Sequence, residues 1–438
     1  MGSDISPIQA PAATRTPTSP PIVQPRSQAS SSRMSREEYA ARSPGPIGAE
    51  DAYAEGAKLA GTPRQNRNRS AHGQFRDVAR LIIEDKKTYG RVHAAITERY
   101  NAFNQRDEVG HNGKPGVTGD IEDVSLEDLC AILRHIAVSP AKTATAAKKS
   151  AISPLFDKLY LMQNKEQGWA LRLHKFAPGE KSQGDEEMPH YHRWTLGSKI
   201  LSGGYNNKNY TEIGADEASA DEKFYKYSLK PSQDGTARAF TRQEPFEVGM
   251  RVSRQTLFKK GDVRHFPIEL PHSVSDLSRH TGTTLTLAHT AKGIKDASLA
   301  FEKDPSLQSK PLAKPATLEE FAASILDKIA LLQVISLSDK LHEHLLSKEK
   351  LTPGEQRHVE DHSTPNYLET SLLPSLAILD LESPSTEFSK ETQDFIREQL
   401  NSISKSNLSS LLVENQKNLE NGAFSASVNS WNELERLI

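Results

Sequence analysis

The segment GDEEMPHYHRWTLGSKILSGG, residues 184–204, places two histidines one residue apart, between an acidic loop and a Leu-Ser-Gly-Gly turn. Alternate residues of a β-strand point to the same face, so His190 and His192 can project into one interior if this segment is a strand. Two imidazoles on one face are the start of a site for a divalent metal ion. On an edge strand the same pair would be ordinary surface histidines. The neighbouring sequence has to decide between these alternatives.

The surrounding residues alternate between apolar and polar, which is typical of β-strands. In WALRLHKF, residues 169–176, Trp169, Leu171 and Leu173 fall on one face and Arg172 and His174 on the other. TTLTLAHT, residues 283–290, repeats the pattern, and turns rich in Gly, Pro, Asn and Asp separate such runs. We therefore predict an antiparallel sheet region over roughly 155–295, large enough for a small barrel or jelly roll.

A second segment, GDVRHFPIELPHSVSD at residues 261–276, supplies a third histidine, His272. Taken in order, the two segments resemble the two signature motifs of the cupin superfamily, Gly-x5-His-x-His-x3-4-Glu-x6-Gly and Gly-x5-Pro-x-Gly-x2-His-x3-Asn. The first segment matches four of the five key positions, and the second matches the Gly, Pro and His. Glu269 and Asp276 stand where Gly and Asn are usual. The resemblance covers about a third of the chain.

The resemblance implies an α+β fold with a central antiparallel β-barrel of the cupin or jelly-roll type, flanked by N- and C-terminal helical regions. It also implies that His190, His192 and His272 hold one divalent metal ion. Where cupins usually supply a carboxylate, this chain has Leu196, or Gly197 under the longer spacing, and neither side chain can coordinate. A three-histidine site keeps the full charge of the ion and favours an anionic ligand.

Within the superfamily, this ligand set resembles the cysteine-dioxygenase-like, three-histidine branch of thiol dioxygenases, where Gly or Cys replaces the Glu. That branch implies Fe(II), a small substrate that binds as a thiolate, O2 as the second substrate and a sulfinate as the product. The sequence therefore predicts a metal-dependent oxygenase that acts on a small polar molecule.

Three further residues are candidates for catalysis. Arg172 could hold a substrate carboxylate or lie on a solvated strand face. Tyr205, just after the Gly-Gly turn, could donate to bound oxygen or be an exposed turn tyrosine. His289 shares a strand face with Leu285 and Leu287, so it either orients a metal ligand or is a core histidine. His265, at a variable position of the second motif, is predicted to lie on the surface.

Composition excludes several other classes of protein. A formal net charge of −2, with no basic run that carries interleaved aromatics, disfavours nucleic-acid binding. One cysteine, Cys130, excludes an intrachain disulfide framework and a thiolate zinc cluster, and its helical pattern predicts a buried structural thiol. The sequence contains no stretch of roughly 18 apolar residues, so no membrane span is expected.

The flanks of the sheet region have their own patterns. Residues 71–150 are predicted to be helical with a linker at 139–150, residues 151–300 to form the barrel, and residues 301–438 to be helical again. Ser125 with Asp128, and Thr317 with Glu320, have the spacing of helix N-terminal caps. HVEDH, residues 358–362, lacks the Glu that follows the first His in metalloproteases and is predicted to be solvated helix.

Residues 1–70 are rich in Ser and Pro and are predicted to be a disordered leader. Their composition resembles the leader of bacterial type III secretion effectors, which implies a soluble chain secreted into a host cell without a Sec signal, where it acts in virulence. MGSDIS also fits the N-myristoylation pattern, so membrane association is expected only if Gly2 is acylated.

Two alternatives to the oxygenase remain at this stage. The first is a metal-cupin isomerase, lyase or decarboxylase, although those usually keep the Glu that Leu196 replaces. The second is a non-catalytic effector that uses the barrel as a scaffold and its helical flanks to contact a host protein. Bound metal distinguishes the enzymes from the scaffold.

Overall fold

The computed structural model of the chain describes residues 71–104, 121–152, 156–176, 188–231, 238–275, 283–293, 295–305, 315–364, 367, 372 and 388–405. These residues belong to one unit, Leu59–Ile438. Predictions for the leader 1–70, for Gly2, for Gly184 and for Asp276 lie outside the described residues.

Eleven β-strands lie between Phe156 and Glu302 in the described part of the chain. They are β1 (Phe156–Gln163), β2 (Ala170–Phe176), β3 (His190–Tyr191), β4 (Leu196–Ser202), β5 (Gly204–Ile213), β6 (Lys223–Pro231), β7 (Arg238–Lys259), β8 (Val263–Phe266), β9 (His272–Ser275), β10 (Thr284–Thr290) and β11 (Ser298–Glu302). Sheet 1 has the order β1-β2-β10-β4-β8, and sheet 2 has the order β11-β3-β9-β5-β7-β6. All these pairs are antiparallel, and β6 also pairs with β11, so the pairing in sheet 2 returns to its first strand.

The two sheets pack face to face, which is consistent with a double-sheet jelly roll. Leu196, Phe266 and Ala288 of sheet 1 form one buried apolar cluster with Tyr205 and Val274 of sheet 2, and this cluster defines the inner face of each sheet. The predicted mixed fold with an antiparallel sheet region is therefore confirmed.

The Leu-Ser-Gly-Gly turn passes the chain from sheet 1 to sheet 2. Gly203 has a positive φ of 68°, and a Cβ atom there would lie 2.6 Å from the Oγ1 of Thr284. Only glycine adopts this conformation at so little cost, so the turn can follow β4 and lead directly into β5.

Helices from both flanks contribute to the apolar core at the outer face of sheet 1. They are α1 (Ala71–Asn104), α2 (Leu126–Ala137), α3 (Pro140–Ala147), α4 (Leu318–Leu346), α5 (Pro353–Asp361) and α6 (Lys390–Lys405). Leu171 and Leu287 of the sheet share one core cluster with Leu133 of α2 and Leu332 of α4. The predicted alternation of β2 and β10 thus places their apolar positions under the helices.

Local sequence signals account for several helix boundaries. The capping boxes predicted at Ser125 and Thr317 are both present at the N-termini of α2 and α4. Cys130 is buried in α2, and burial raises the pKa of its thiol to about 12, which fits the predicted structural role. The linker predicted at 139–150 is wrong, because Pro140 starts the alanine-rich helix α3 there.

Helix α4 is long and apolar enough to cross a membrane by length and composition, and half of its most apolar window is buried in the protein. Lys328, in this helix, is buried and pairs with Asp157 of β1 at 2.5 Å. A core helix that packs on a sheet meets the same criteria of length and composition, and the packing of α4 agrees with that role.

The HVEDH segment is more buried than its sequence predicted. His358 is only 2% exposed and its ring lies against Tyr367, while His362 stacks on His342 of α4 with ring centroids 4.0 Å apart. Asp339 of α4 accepts a hydrogen bond from His362 at 2.9 Å and pairs with Lys260, in the turn after β7. The prediction of a solvated helix was wrong, because His358 and His362 pack against α4 and the turn after β7.

Candidate metal centre

The three histidines of the two sequence motifs come together on the inner face of sheet 2. His190 of β3 lies opposite His272 of β9 in the strand register, and His192 follows two residues later on the same side. Their ring centroids are 4.7–4.9 Å apart. One potential ligand atom from each ring falls in a group whose members all lie within 4.8 Å of one another. The predicted constellation is therefore present.

The spacing of two of these rings suits a shared ion. The Nε2 atoms of His192 and His272 are 2.8 Å apart. Two imidazole nitrogens bound to one ion at about 2.0–2.1 Å and at a right angle would be about 3 Å apart. The separation of these two nitrogens is therefore close to that of two ligands of one ion.

Hydrogen bonds on the far side of two rings set their tautomers. His190 Nδ1 lies 3.0 Å from the carbonyl oxygen of Met188, and His272 Nδ1 lies 2.8 Å from Oδ1 of Asn207. Both oxygens can only accept, so each Nδ1 carries the proton and donates it. The Nε2 atom of each ring is then left with a lone pair directed away from these partners, as a metal ligand requires.

Burial keeps His192 and His272 uncharged when no ion is bound. His272 is 4% exposed, and burial lowers its pKa well below the usual range. Burial likewise lowers the pKa of His192, and the charges of neighbouring groups, including Arg172, lower it further. Neutral imidazole is the form that binds metal, so this donor set fits a divalent metal ion.

No carboxylate belongs to this cluster in the described part of the chain. Leu196, at the position where the cupin motif has Glu, is 8% exposed and packs in the apolar cluster of the inner faces. Phe266, its register partner on β8, lies with its ring centroid 4.5 Å from that of His272. One side of the metal centre is therefore apolar, and a bound ion would keep its full charge of two.

The inner face of sheet 1 adds positive charge. Arg172 lies opposite Ala288 in register and therefore faces inward, and its guanidinium lies 4.9 Å from the ring centre of Trp194. Lys158 shares this face because it pairs with His174. Asp157 is the only acidic residue in the five strands as described, and it faces outward to Lys328. Arg172 is half-buried on the side of the metal centre, so the alternative of a solvated strand face is wrong.

Tyr205 is not the exposed turn residue that the sequence suggested. It is 3% exposed in β5, and its ring lies 5.4 Å from that of Phe258 and 6.1 Å from that of Phe176. Because β5 begins directly after Gly203, Tyr205 is the second residue of a strand. It forms part of the apolar wall between the sheets, and a role toward oxygen stays a prediction.

His289 is on the opposite face of its strand from the metal centre. It is fully buried, its ring lies 5.6 Å from Trp169 and 6.1 Å from Tyr100, and burial lowers its pKa to about 3. It packs beneath α1 and cannot orient a ligand on the inner face, so its candidate catalytic role is corrected to that of a core histidine. His265 is exposed on β8, as predicted.

Two residues near the centre were missed from the sequence. Asn207 holds His272, and Tyr160 lies opposite Arg172 in register, with its ring centre 5.6 Å from the guanidinium. The signal for Asn207 was present in the NNKN stretch of β5, where amide side chains occupy inward positions of an otherwise alternating strand. Nothing in the pattern around Tyr160 distinguishes it from other strand tyrosines.

Comparison with known proteins gives structural likeness without sequence relatives. No family model and no curated protein matches the chain. Among solved structures, a conserved protein of unknown function from Streptococcus pyogenes, SPY1581, is similar over 33% of this chain and 80% of its own, with 11% identity and a TM-score of 0.19. KdgF from Halomonas sp. is similar over 32% and 84%, with 10% identity and a TM-score of 0.19. An RmlC-like cupin from Shewanella frigidimarina is similar over 33% and 83%, with 12% identity and a TM-score of 0.19. At these scores the likenesses carry no argument about function, which rests on the residues of this chain.

Proposed function

We propose that this protein is a metal-dependent, cupin-type oxygenase, similar to thiol dioxygenases, that acts on a small anionic molecule. One observation carries the proposal: His190, His192 and His272 converge on one point, and Leu196 stands where a carboxylate ligand would lower the charge of the ion. Such a centre attracts an anionic ligand such as a thiolate more strongly than one that includes a carboxylate.

The proposed ion is Fe(II), which His190, His192 and His272 would hold. When bound, Fe(II) supplies a charge of two that attracts a thiolate, together with the redox chemistry that reaction with O2 requires. Imidazole ligands suit iron, zinc, copper and nickel alike, so the requirement for O2 is what selects iron in this proposal.

The protein's own residues would bind and orient the substrate. Arg172 can form two parallel hydrogen bonds to a carboxylate, and Trp194 packs against its guanidinium and restricts its position. Lys158, on the same face, adds to the attraction for anions. Leu196 and Phe266 keep water from the apolar side of the centre, which strengthens each of these electrostatic interactions.

Metal analysis combined with an oxygen electrode tests the proposal. We expect one iron per chain after anaerobic loading, and O2 consumption with a sulfinate product when a panel of small thiols such as cysteine, cysteamine and 3-mercaptopropionate is offered. Iron binding without O2 consumption for any thiol would reject the oxygenase but keep the metal centre. Absence of any bound transition metal would reject both and favour the alternative of a non-catalytic scaffold that contacts a host protein.

A further inference from the structure

The amide of Asn207 lies between His272 and Asn209, and its contacts with them define which of its ends faces His272. Its Oδ1 lies 2.8 Å from Nδ1 of His272, and its Nδ2 donates to Oδ1 of Asn209 at 2.8 Å. Asn207 is 2% exposed, so its carbonyl is shielded from bulk water. Asn209 lies opposite His272 in the register of β5 and β9, which places all three side chains on the inner face of sheet 2.

The direction of these hydrogen bonds determines the form of the imidazole. If the amide of Asn207 were reversed, its NH2 group would point at His272 Nδ1 and would favour the tautomer with the proton on Nε2. That tautomer cannot bind a metal through Nε2. Because Asn209 accepts from Nδ2, the carbonyl end is the one that meets His272, and the ligand nitrogen stays unprotonated.

We infer that Asn207 is a positioning residue that acts through His272, and that Asn209 fixes its orientation. This inference rests on the proposed metal centre. The amide sets both the tautomer and the ring orientation of His272 before the ion arrives, so the affinity for metal depends on a side chain that never touches the ion. His190 obtains the same result from the main-chain carbonyl of Met188, which no side-chain substitution removes. Of these two histidines, only His272 therefore has a tautomer that a side-chain substitution of its hydrogen-bond partner can change.

Two variants and one matched control test the inference. Asn207→Leu removes the acceptor, and Asn207→Asp retains an acceptor of similar shape. Asn206→Leu makes the same change one residue earlier, where the side chain points to the other face of β5. Each protein is measured metal-free by histidine side-chain 15N NMR, which reports the tautomer of His272, and by competition titration with Zn²⁺, which reports the dissociation constant.

We expect Asn207→Leu to show His272 with increased Nε2–H character and to bind Zn²⁺ about 10- to 100-fold more weakly, the range typical of partners of metal ligands. Asn207→Asp and Asn206→Leu should keep the Nδ1–H tautomer and an affinity near that of the parent. An unchanged tautomer and unchanged affinity in Asn207→Leu would overturn the inference.

The Asp variant keeps the test decisive if the Leu variant does not fold. A folded Asn207→Asp protein with Nε2–H at His272, or with affinity reduced more than about 10-fold, would contradict the inference. A parent protein that binds no Zn²⁺ would instead reject the proposed function, and the NMR measurement on the metal-free protein would then still show whether Asn207 sets the tautomer.

Discussion

The Nε2 atoms of His192 and His272 lie 2.8 Å apart, although 80 residues separate these histidines in the chain. The pairing of β3 with β9 creates this contact, since it brings the two motifs side by side in sheet 2. Only one proton can lie between the two nitrogens. Because His272 donates from Nδ1 to Asn207, that proton belongs to His192, and an ion at this point would take its place.

Replacing any one of His190, His192 or His272 by Ala should abolish stoichiometric metal binding. Loss of a direct ligand should weaken affinity by more than the roughly 10- to 100-fold expected for loss of a hydrogen-bond partner of a ligand. Elemental analysis after dialysis measures the result. His265→Ala is the matched control, because this histidine of the second motif is exposed on β8 and should not affect occupancy. Parent-like metal content in His272→Ala would show that the cluster is not the metal centre.

Leu196→Glu should retain the ion but weaken the binding of an anionic thiolate, because a carboxylate beside the centre lowers its net charge. The Leu196→Gln variant is the control, because Gln has nearly the shape of Glu but no charge. It separates the charge effect from the cost of placing a polar group in an apolar cluster. Thiol titrations of the metal-loaded variants measure the difference. Equal thiolate affinity in the Glu and Gln variants would contradict the argument from charge.

Arg172→Gln should raise the KM for carboxylate-bearing thiols by about 10- to 100-fold, the effect of losing a charge-assisted hydrogen bond of roughly 1.5–3 kcal/mol, without changing metal content. Lys175→Gln is the control, since Lys175 lies on the outer face of the same strand and pairs with Asp327 of α4. The KM for cysteamine, which has no carboxylate, should change little in either the Arg172→Gln or the Lys175→Gln variant. A similar loss with cysteamine would indicate that Arg172 acts on the centre rather than on the substrate.

His289→Leu should make the protein less sensitive to acid. The pKa of His289 is about 3 in the folded protein and about 6.5 when unfolded, so the unfolded chain binds one more proton between these values. Above pH 6.5 burial of neutral His289 therefore costs the protein no stability. As the pH decreases from 6.5 toward 3, the free energy of unfolding falls by up to about 1.4 kcal/mol per pH unit because of this residue. Urea unfolding at pH 7.5 and 5.5 should show a decrease that is about 1.4 kcal/mol smaller in the variant. An identical decrease in parent and variant would mean that the pKa of His289 is not lowered in the folded protein.

Lys328→Met should destabilise the fold by about 3–5 kcal/mol, because it leaves the carboxylate of Asp157 in a largely buried position without its cation. Adding Asp157→Leu should restore most of the loss, since two apolar side chains then replace the pair. Thermal unfolding of both variants measures the effect. If the double variant is no more stable than Lys328→Met, the unpaired carboxylate of Asp157 is not the cause of the destabilisation.

Much of this architecture followed from local pattern. The alternation of WALRLHKF and TTLTLAHT placed the strands and assigned Arg172 and His289 to faces relative to their apolar neighbours. The capping residues Ser125 and Thr317 placed the starts of two helices, because their side-chain hydrogen bonds depend only on nearby backbone. The spacing of the three histidines identified the candidate centre.

The remaining features depended on contacts between distant segments. β10 is buried on both faces, so its sequence does not show which face meets the metal centre and which meets the helices. His289 was therefore a candidate until the packing of Trp169 and Tyr100 placed it under α1. Asn207 gained its role from a neighbouring strand whose register no local pattern specifies. The burial of His358 likewise depends on partners in α4.

The outer face of sheet 1 changes how shortened versions of this protein should be interpreted. Leu159, Leu171, Leu173, Leu285 and Leu287 are all fully buried in a core completed by helices from before and after the strands. Exposing five leucines to water costs about 10 kcal/mol, which is comparable to the whole stability of a typical domain. An excised strand region would therefore be expected to aggregate. If truncation of either helical flank abolishes an activity, unfolding of the sheet explains the loss before the loss of a binding partner does.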